Sequence, residues 1–128
     1  MPNSVSESQI VRQILDYLAA DHIFAFRLNT SATKIGNRFF RAHSLGPGAS
    51  DILSFPVVSG FVHSNECLNH PVRHIQPTWI EVKTSTGKQS LEQKSFQEHV
   101  ESLGHRYILA RSVDDIRALW QERCQGAR

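Results

Sequence analysis

Residues 78–110 constrain the fold more tightly than any other stretch: a strand-like run, TWIEVK, then a capped helix, then a second strand-like run, RYILA at 106–110. Ser90 and Gln93 form a Ser-x-x-Gln capping box ahead of Phe96, Val100 and Leu103, and Gly104 supplies the stop. Two strands joined across a helix of about four turns predict a parallel crossover, with both strands central in the sheet. A central strand covered by helices is expected to be apolar on both faces. Yet the period of two sends Glu81 and Lys83 to one face, opposite Ile80 and Val82. Either that face meets water, where a charged pair costs little, or it is buried and the pair needs partners or a ligand.

The rest of the chain supplies a setting. Ser4 and Glu7 read as a capping box for a helix over 4–20, with Ile10, Val11, Ile14, Leu15 and Leu18 at helical spacing. Strand candidates follow at 22–29, 37–43 and 51–58, the last entered through GPGAS and expected to be exposed or irregular at Pro56. Residues 59–77 lack a clean period and read as an inserted loop or short ribbon. Ser112 and Asp115 predict a final helix with Val113, Ile116, Trp120 and Cys124 as its stripe. Trp79 and Trp120 occupy apolar positions of regular elements and read as core or interface residues rather than base-stacking platforms. The order is that of an α/β sandwich, a mixed central sheet flanked by helices.

A chain of 128 residues with 40% apolar content suits one domain over 1–128. Two cysteines and a polar N-terminal stretch lead us to expect free thiols in the cytoplasm, and no run is long enough to span a membrane. The net charge of +2 names no partner, but its distribution is uneven. No acid falls between Asp21 and Asp51, where Arg27, Lys34, Arg38, Arg41 and His43 cluster. This strip is either a solvated face or a surface for phosphates, with Asn29 beside it. Arg27 can equally pair with Asp21.

Neighbouring strands can bring Asp51 and Glu81 side by side. At about 4 Å and an effective dielectric of about 20, two carboxylates repel by about 4 kcal/mol, so one protonates unless a cation compensates. Hard oxygen ligands suit Mg²⁺ or Mn²⁺, and a nearby lysine can orient a water, a set that reads as phosphodiester hydrolysis. Glu7 and Gln93 sit at the ends of their helices' apolar stripes and point toward the sheet, as caps, as site groups or as both.

The ordered set of Glu7, GPGASD ending in Asp51, IEVK with Glu81 and Lys83, SLEQ with Ser90 and Gln93, and GHRYILARS resembles the VRR-NUC (virus-type replication-repair nuclease) family of the PD-(D/E)XK superfamily. The resemblance implies a restriction-endonuclease-like αβββαβ core. It implies Asp51, Glu81, the Val82 carbonyl and Glu7 around the metal, Lys83 near the attacking water, and Gln93 in support. Arg27, Asn29, Lys34, Arg38, Arg41 and Ser90 would then face DNA. It further implies structure-selective cutting of branched DNA such as four-way junctions, in a bacterial or phage-infected cell, and a homodimer matches a two-fold substrate. Ser50 replaces the proline that names the superfamily, a change of turn geometry rather than of ligand chemistry. Two other classes compete: a non-catalytic nucleic-acid-binding module on the same fold, and a zinc-stabilised interaction protein using His63, Cys67, His70 and His74.

Overall fold

Ser6 opens the first helix, α1 (Glu7–Ala20): its hydroxyl accepts the Gln9 N–H at 3.3 Å, while the Gln9 side-chain oxygen accepts the Ser6 N–H at 2.9 Å. The capping box therefore lies two residues beyond the Ser4–Glu7 box read from the sequence. Ser-x-x-Glu and Ser-x-x-Gln overlap here, and the second one satisfies the helix start. Glu7 becomes the first helical residue, where a carboxylate favours the positive end of the helix dipole.

The computed structural model describes residues 4–28, 32–35, 38–41, 48–63 and 69–126. After α1 come β1 (Phe24–Arg27), β2 (Ala32–Ile35), β3 (Arg38–Arg41), β4 (Ile52–Phe55), β5 (Val57–His63), β6 (Asn69–Ile75), β7 (Thr78–Val82), α2 (Leu91–Ser102), β8 (Arg106–Ala110) and α3 (Val113–Gly126). The main sheet has the order β1-β4-β7-β8. Its first two pairings are antiparallel and β7 runs parallel to β8, as a crossover through α2 requires. In the register of this sheet Ile52 faces Ile80 and Ile80 faces Ile108. These join Val82 and Ala110 under Ile10, Val11, Ile14 and Leu18 of α1 and Ile116 of α3. The opposite face presents Trp79, which meets Phe96 of α2 edge-to-face at 5.0 Å and donates its indole N–H to His105 at 3.0 Å. Trp79 is thus a core residue; Trp120 falls on α3, outside the described side chains.

Two expectations change, those for 37–43 and for the position of β8. The candidate at 37–43 does not join the main sheet; β3 pairs with β2 in a separate two-stranded ribbon. At Pro56 the strand is irregular, as one of the two expected forms has it: it breaks into β4 and β5, with Pro56 buried and its carbonyl accepting the Gln76 N–H at 3.1 Å. β7 is central, whereas β8 is the last strand of the sheet among the described residues. An edge strand sandwiched between helices satisfies the same apolar pattern as a central one. Residues 59–77 contain most of the β5–β6 ribbon, paired from Val57 with Ile75 to His63 with Asn69.

Candidate active site

Every residue of β7 is buried, which removes the solvated-face reading of Glu81 and Lys83. Glu81 is 2% exposed and the Lys83 side chain 13%. Lys83 continues the strand's pairing, its N–H donating to the Ala110 carbonyl at 3.0 Å, and its ammonium lies 3.3 Å from Glu81 Oε1. The same oxygen accepts the Gln93 side-chain amide at 2.8 Å. Glu81 Oε2 is buried without a hydrogen-bond partner. A buried carboxylate with one oxygen doubly bonded and the other bare is poorly solvated as an anion.

Asp51 is delivered by a turn that only glycine can make. Gly48 has φ +83°, and a Cβ there would lie 2.3 Å from the Glu92 carbonyl oxygen, so the turn rests directly on the first turn of α2. From this turn Asp51 spans three strands. Its N–H donates to the Ile80 carbonyl at 3.1 Å, its carbonyl accepts the Leu28 N–H at 2.7 Å, and Oδ2 accepts the Val82 N–H at 2.8 Å. Val82 thus touches the site through its backbone N–H.

The electrostatics follow from this packing. Burial, then the charge of Asp51 and lastly that of Glu7, push the Glu81 carboxyl up to about 7, against the opposing pull of Lys83. Burial also raises Asp51, countered by the Val82 N–H; Glu7 raises it further, and Lys83 and Arg27 lower it. Glu7 is therefore exposed at the head of α1 yet within electrostatic reach of both carboxylates. Gln93 serves two tasks with one amide: its oxygen accepts the Ser90 N–H at 2.8 Å in the α2 capping box, and its nitrogen holds Glu81.

Among the described residues no group of three or more His, Cys, Asp or Glu is arranged to hold a metal by itself. A pair of carboxylates is a different donor set. Mg²⁺ and Mn²⁺ accept one or two protein carboxylates and complete their shells with water and phosphate oxygens. The bare Glu81 Oε2, the mutual repulsion with Asp51 and the nearby charge of Glu7 fit that requirement.

The expected DNA-facing residues lie on several elements. Arg27 ends β1 exposed and within electrostatic reach of Asp51, and Ser90 is the exposed N-cap of α2. Lys34, Arg38 and Arg41 lie on the β2–β3 ribbon, with side chains outside those described, and Asn29 falls outside the described residues. Of the zinc set, His70 pairs with Val62 next to His63, but His74 lies far along the ribbon. His74 pairs with Val58, five residues from His63 along β5, which is about 16 Å of strand. Cys67 lies outside the described residues.

Comparison of the chain with family models, curated proteins and solved structures finds no significant match.

Sequence reasoning missed Tyr107, Gln89 and Arg111. The Gln89 amide donates to the Tyr107 hydroxyl and to Gln97 Oε1, both at 3.0 Å. The Tyr107 phenol is pushed up to about 12, chiefly by burial and then by the charges of Glu81 and Asp51, with Gln89 and Ser50 pulling the other way. Strand alternation carried the signal: Tyr107 pairs with Trp79, two residues from Glu81 on the same face of β7. Arg111 donates one guanidinium nitrogen to the carbonyls of Thr84 and Gly87, clamping the loop after Lys83. Nothing in its position just past a strand announced this.

Proposed function

We propose that the chain is a metal-dependent DNA endonuclease that hydrolyses phosphodiester bonds at Asp51 and Glu81, using Mg²⁺ or Mn²⁺. The observation that carries this reading is a buried carboxylate, Glu81, held beside Lys83 and the half-buried Asp51 that repels it, with one oxygen that no protein group satisfies. A structural salt bridge to Lys83 needs one acid, and a DNA-binding module gains nothing from buried anions that repel phosphate. The bound ion supplies charge neutralisation at the scissile phosphate and a more acidic water. Asp51 and Glu81 hold it; Gln93 fixes the Glu81 carboxylate; Lys83 orients the attacking water and offsets charge as it develops.

The finer assignment is to the VRR-NUC type on a restriction-endonuclease-like fold. The α1, β1, β4, β7, α2, β8 order of core elements supports it. In this reading the basic β2–β3 ribbon tracks the DNA backbone, the substrate is branched, and two copies of the chain act together in the cytoplasm. Among the described residues no helix is long and apolar enough to cross a membrane.

The test is cleavage of single-stranded, duplex, flapped and four-way DNA with Mg²⁺ or Mn²⁺. Asp51→Asn and Glu81→Gln should each lose several kcal/mol of transition-state stabilisation, about a thousandfold in rate, while binding DNA as tightly or more tightly. Cleavage that survives chelator, or survives either substitution, overturns the proposal.

A further inference from the structure

Tyr107 lies on the Glu81 face of the sheet, half-buried, where a tyrosine ordinarily turns its hydroxyl to water. Here the oxygen accepts one amide proton of Gln89, whose other proton goes to Gln97 Oε1; Gln97 in turn donates to Glu101 at 2.9 Å. Both donors of Gln89 are therefore spent, and its side chain is held between β8 and α2. The next residue is Ser90, whose N–H belongs to the Gln89–Ser90 peptide. That N–H holds the Gln93 amide oxygen at 2.8 Å, and the Gln93 nitrogen holds Glu81 Oε1 at 2.8 Å. The contacts form one line from Tyr107 through Gln89, the Ser90 peptide and Gln93 to the carboxylate.

The phenol has a second neighbour. The buried Ser50 hydroxyl, itself without a hydrogen-bond partner, lies close enough to influence the phenol. Ser50 directly precedes Asp51 in the turn that rests on Glu92.

We propose that Tyr107 is a positioning residue: its hydroxyl, acting through Gln89, sets the start of α2 so that Gln93 fixes the Glu81 carboxylate in the orientation the metal site needs. The inference rests on the nuclease reading of the site. The ring supplies packing, and the hydroxyl supplies the orientation.

Tyr107→Phe separates the two, since it keeps the ring and deletes one oxygen. Gln89→Ala interrupts the same line without touching the ring. Each variant, and the pair together, is measured for Mn²⁺ affinity by calorimetry, for melting in chelator, and for kcat and KM on whichever DNA the parent cleaves. Each single variant should weaken Mn²⁺ binding and lower kcat by roughly tenfold, the usual scale for groups that orient a metal ligand, with KM for DNA unchanged. The double variant should be no worse than the worse single one, because the two residues act in series. Both singles losing melting temperature while Mn²⁺ affinity and kcat stay at the parent's values makes Tyr107 a packing residue and overturns the inference alone. Additive losses in the double variant break the proposed line and overturn it too. A parent that neither binds Mn²⁺ nor cleaves any DNA brings down the nuclease reading, and this inference with it.

Discussion

The charge on Glu81 should make the metal-free protein less stable as the pH rises. Its carboxyl titrates at an ordinary 4.5 in the unfolded chain and at about 7 in the fold, where it is 2% exposed. Below 4.5 both states are protonated and the group is silent. Between 4.5 and 7 the unfolded chain releases the proton while the fold retains it, so the folded state loses ground, and above 7 the loss is complete. The gap corresponds to about 3 kcal/mol in total, of which about 2.5 falls between pH 5 and pH 8. Glu81→Gln removes the titration and keeps the shape, and its side-chain oxygen can still accept the Gln93 amide. Denaturant unfolding of parent and variant in chelator at pH 5, 6, 7 and 8 should therefore show the variant gaining on the parent by about 2 to 3 kcal/mol across the series. Mg²⁺ at pH 8 should restore the parent and leave the variant unmoved, since an ion that binds only the folded state stabilises it. A stability difference between the two proteins that stays constant from pH 5 to pH 8 would show that the fold solvates Glu81 as well as water does, and the case for a cation site would go with it.

Two glycines with nearly equal backbone angles should respond differently to alanine. Gly48 (φ +83°) would drive a Cβ into the Glu92 carbonyl at 2.3 Å, whereas Gly104 (φ +82°) has nothing within 4 Å. Gly104→Ala should cost only the left-handed penalty of about 1 to 2 kcal/mol, while Gly48→Ala should cost clearly more and also weaken the Mg²⁺-induced rise in melting temperature, both read by thermal melting. Arg111→Met leaves the Thr84 and Gly87 carbonyls without their charged donor, so it should destabilise by about 1.5 to 3 kcal/mol and speed amide exchange within residues 84–87.

Much of the frame could be read from local pattern. α2 was legible because Ser90, Gln93 and Gly104 punctuate it, and the strands on either side of it follow from the apolar runs that α2 separates. The site pair was legible because a charged residue in a crossover strand has few inexpensive places to go. What failed had physical causes. Two overlapping capping boxes cannot be ranked by spacing, so Ser6 and Gln9 displaced Ser4 and Glu7. RFFR of β3 has the aromatic content of a sheet strand, but its partner is β2 and not the main sheet, a choice that local propensity does not reveal. The covered face of β1 is not assigned from the sequence: alternation puts Phe24 and Phe26 on one face and Ala25 on the other, and it is Ala25 that packs against the core while Phe24 stays 67% exposed. Period gives which residues share a face, not which face is covered.

Gln93 shows why cap and site readings of one residue need not compete. An amide has an acceptor end and a donor end. The capping box consumes only the oxygen, through the Ser90 N–H, so the nitrogen is available at no extra ordering cost to the helix. A glutamate at this position would cap equally well but would bring a third anion to Glu81, where the carboxylate is already raised by Asp51 and Glu7. Glutamine is the capping-box residue that can cap α2 and still donate to the site carboxylate. The Ser6–Gln9 box of α1 uses the same residue type with an exposed side chain, so it is the position of Gln93 beside the buried Glu81, and not the choice of Gln alone, that gives its amide the second task.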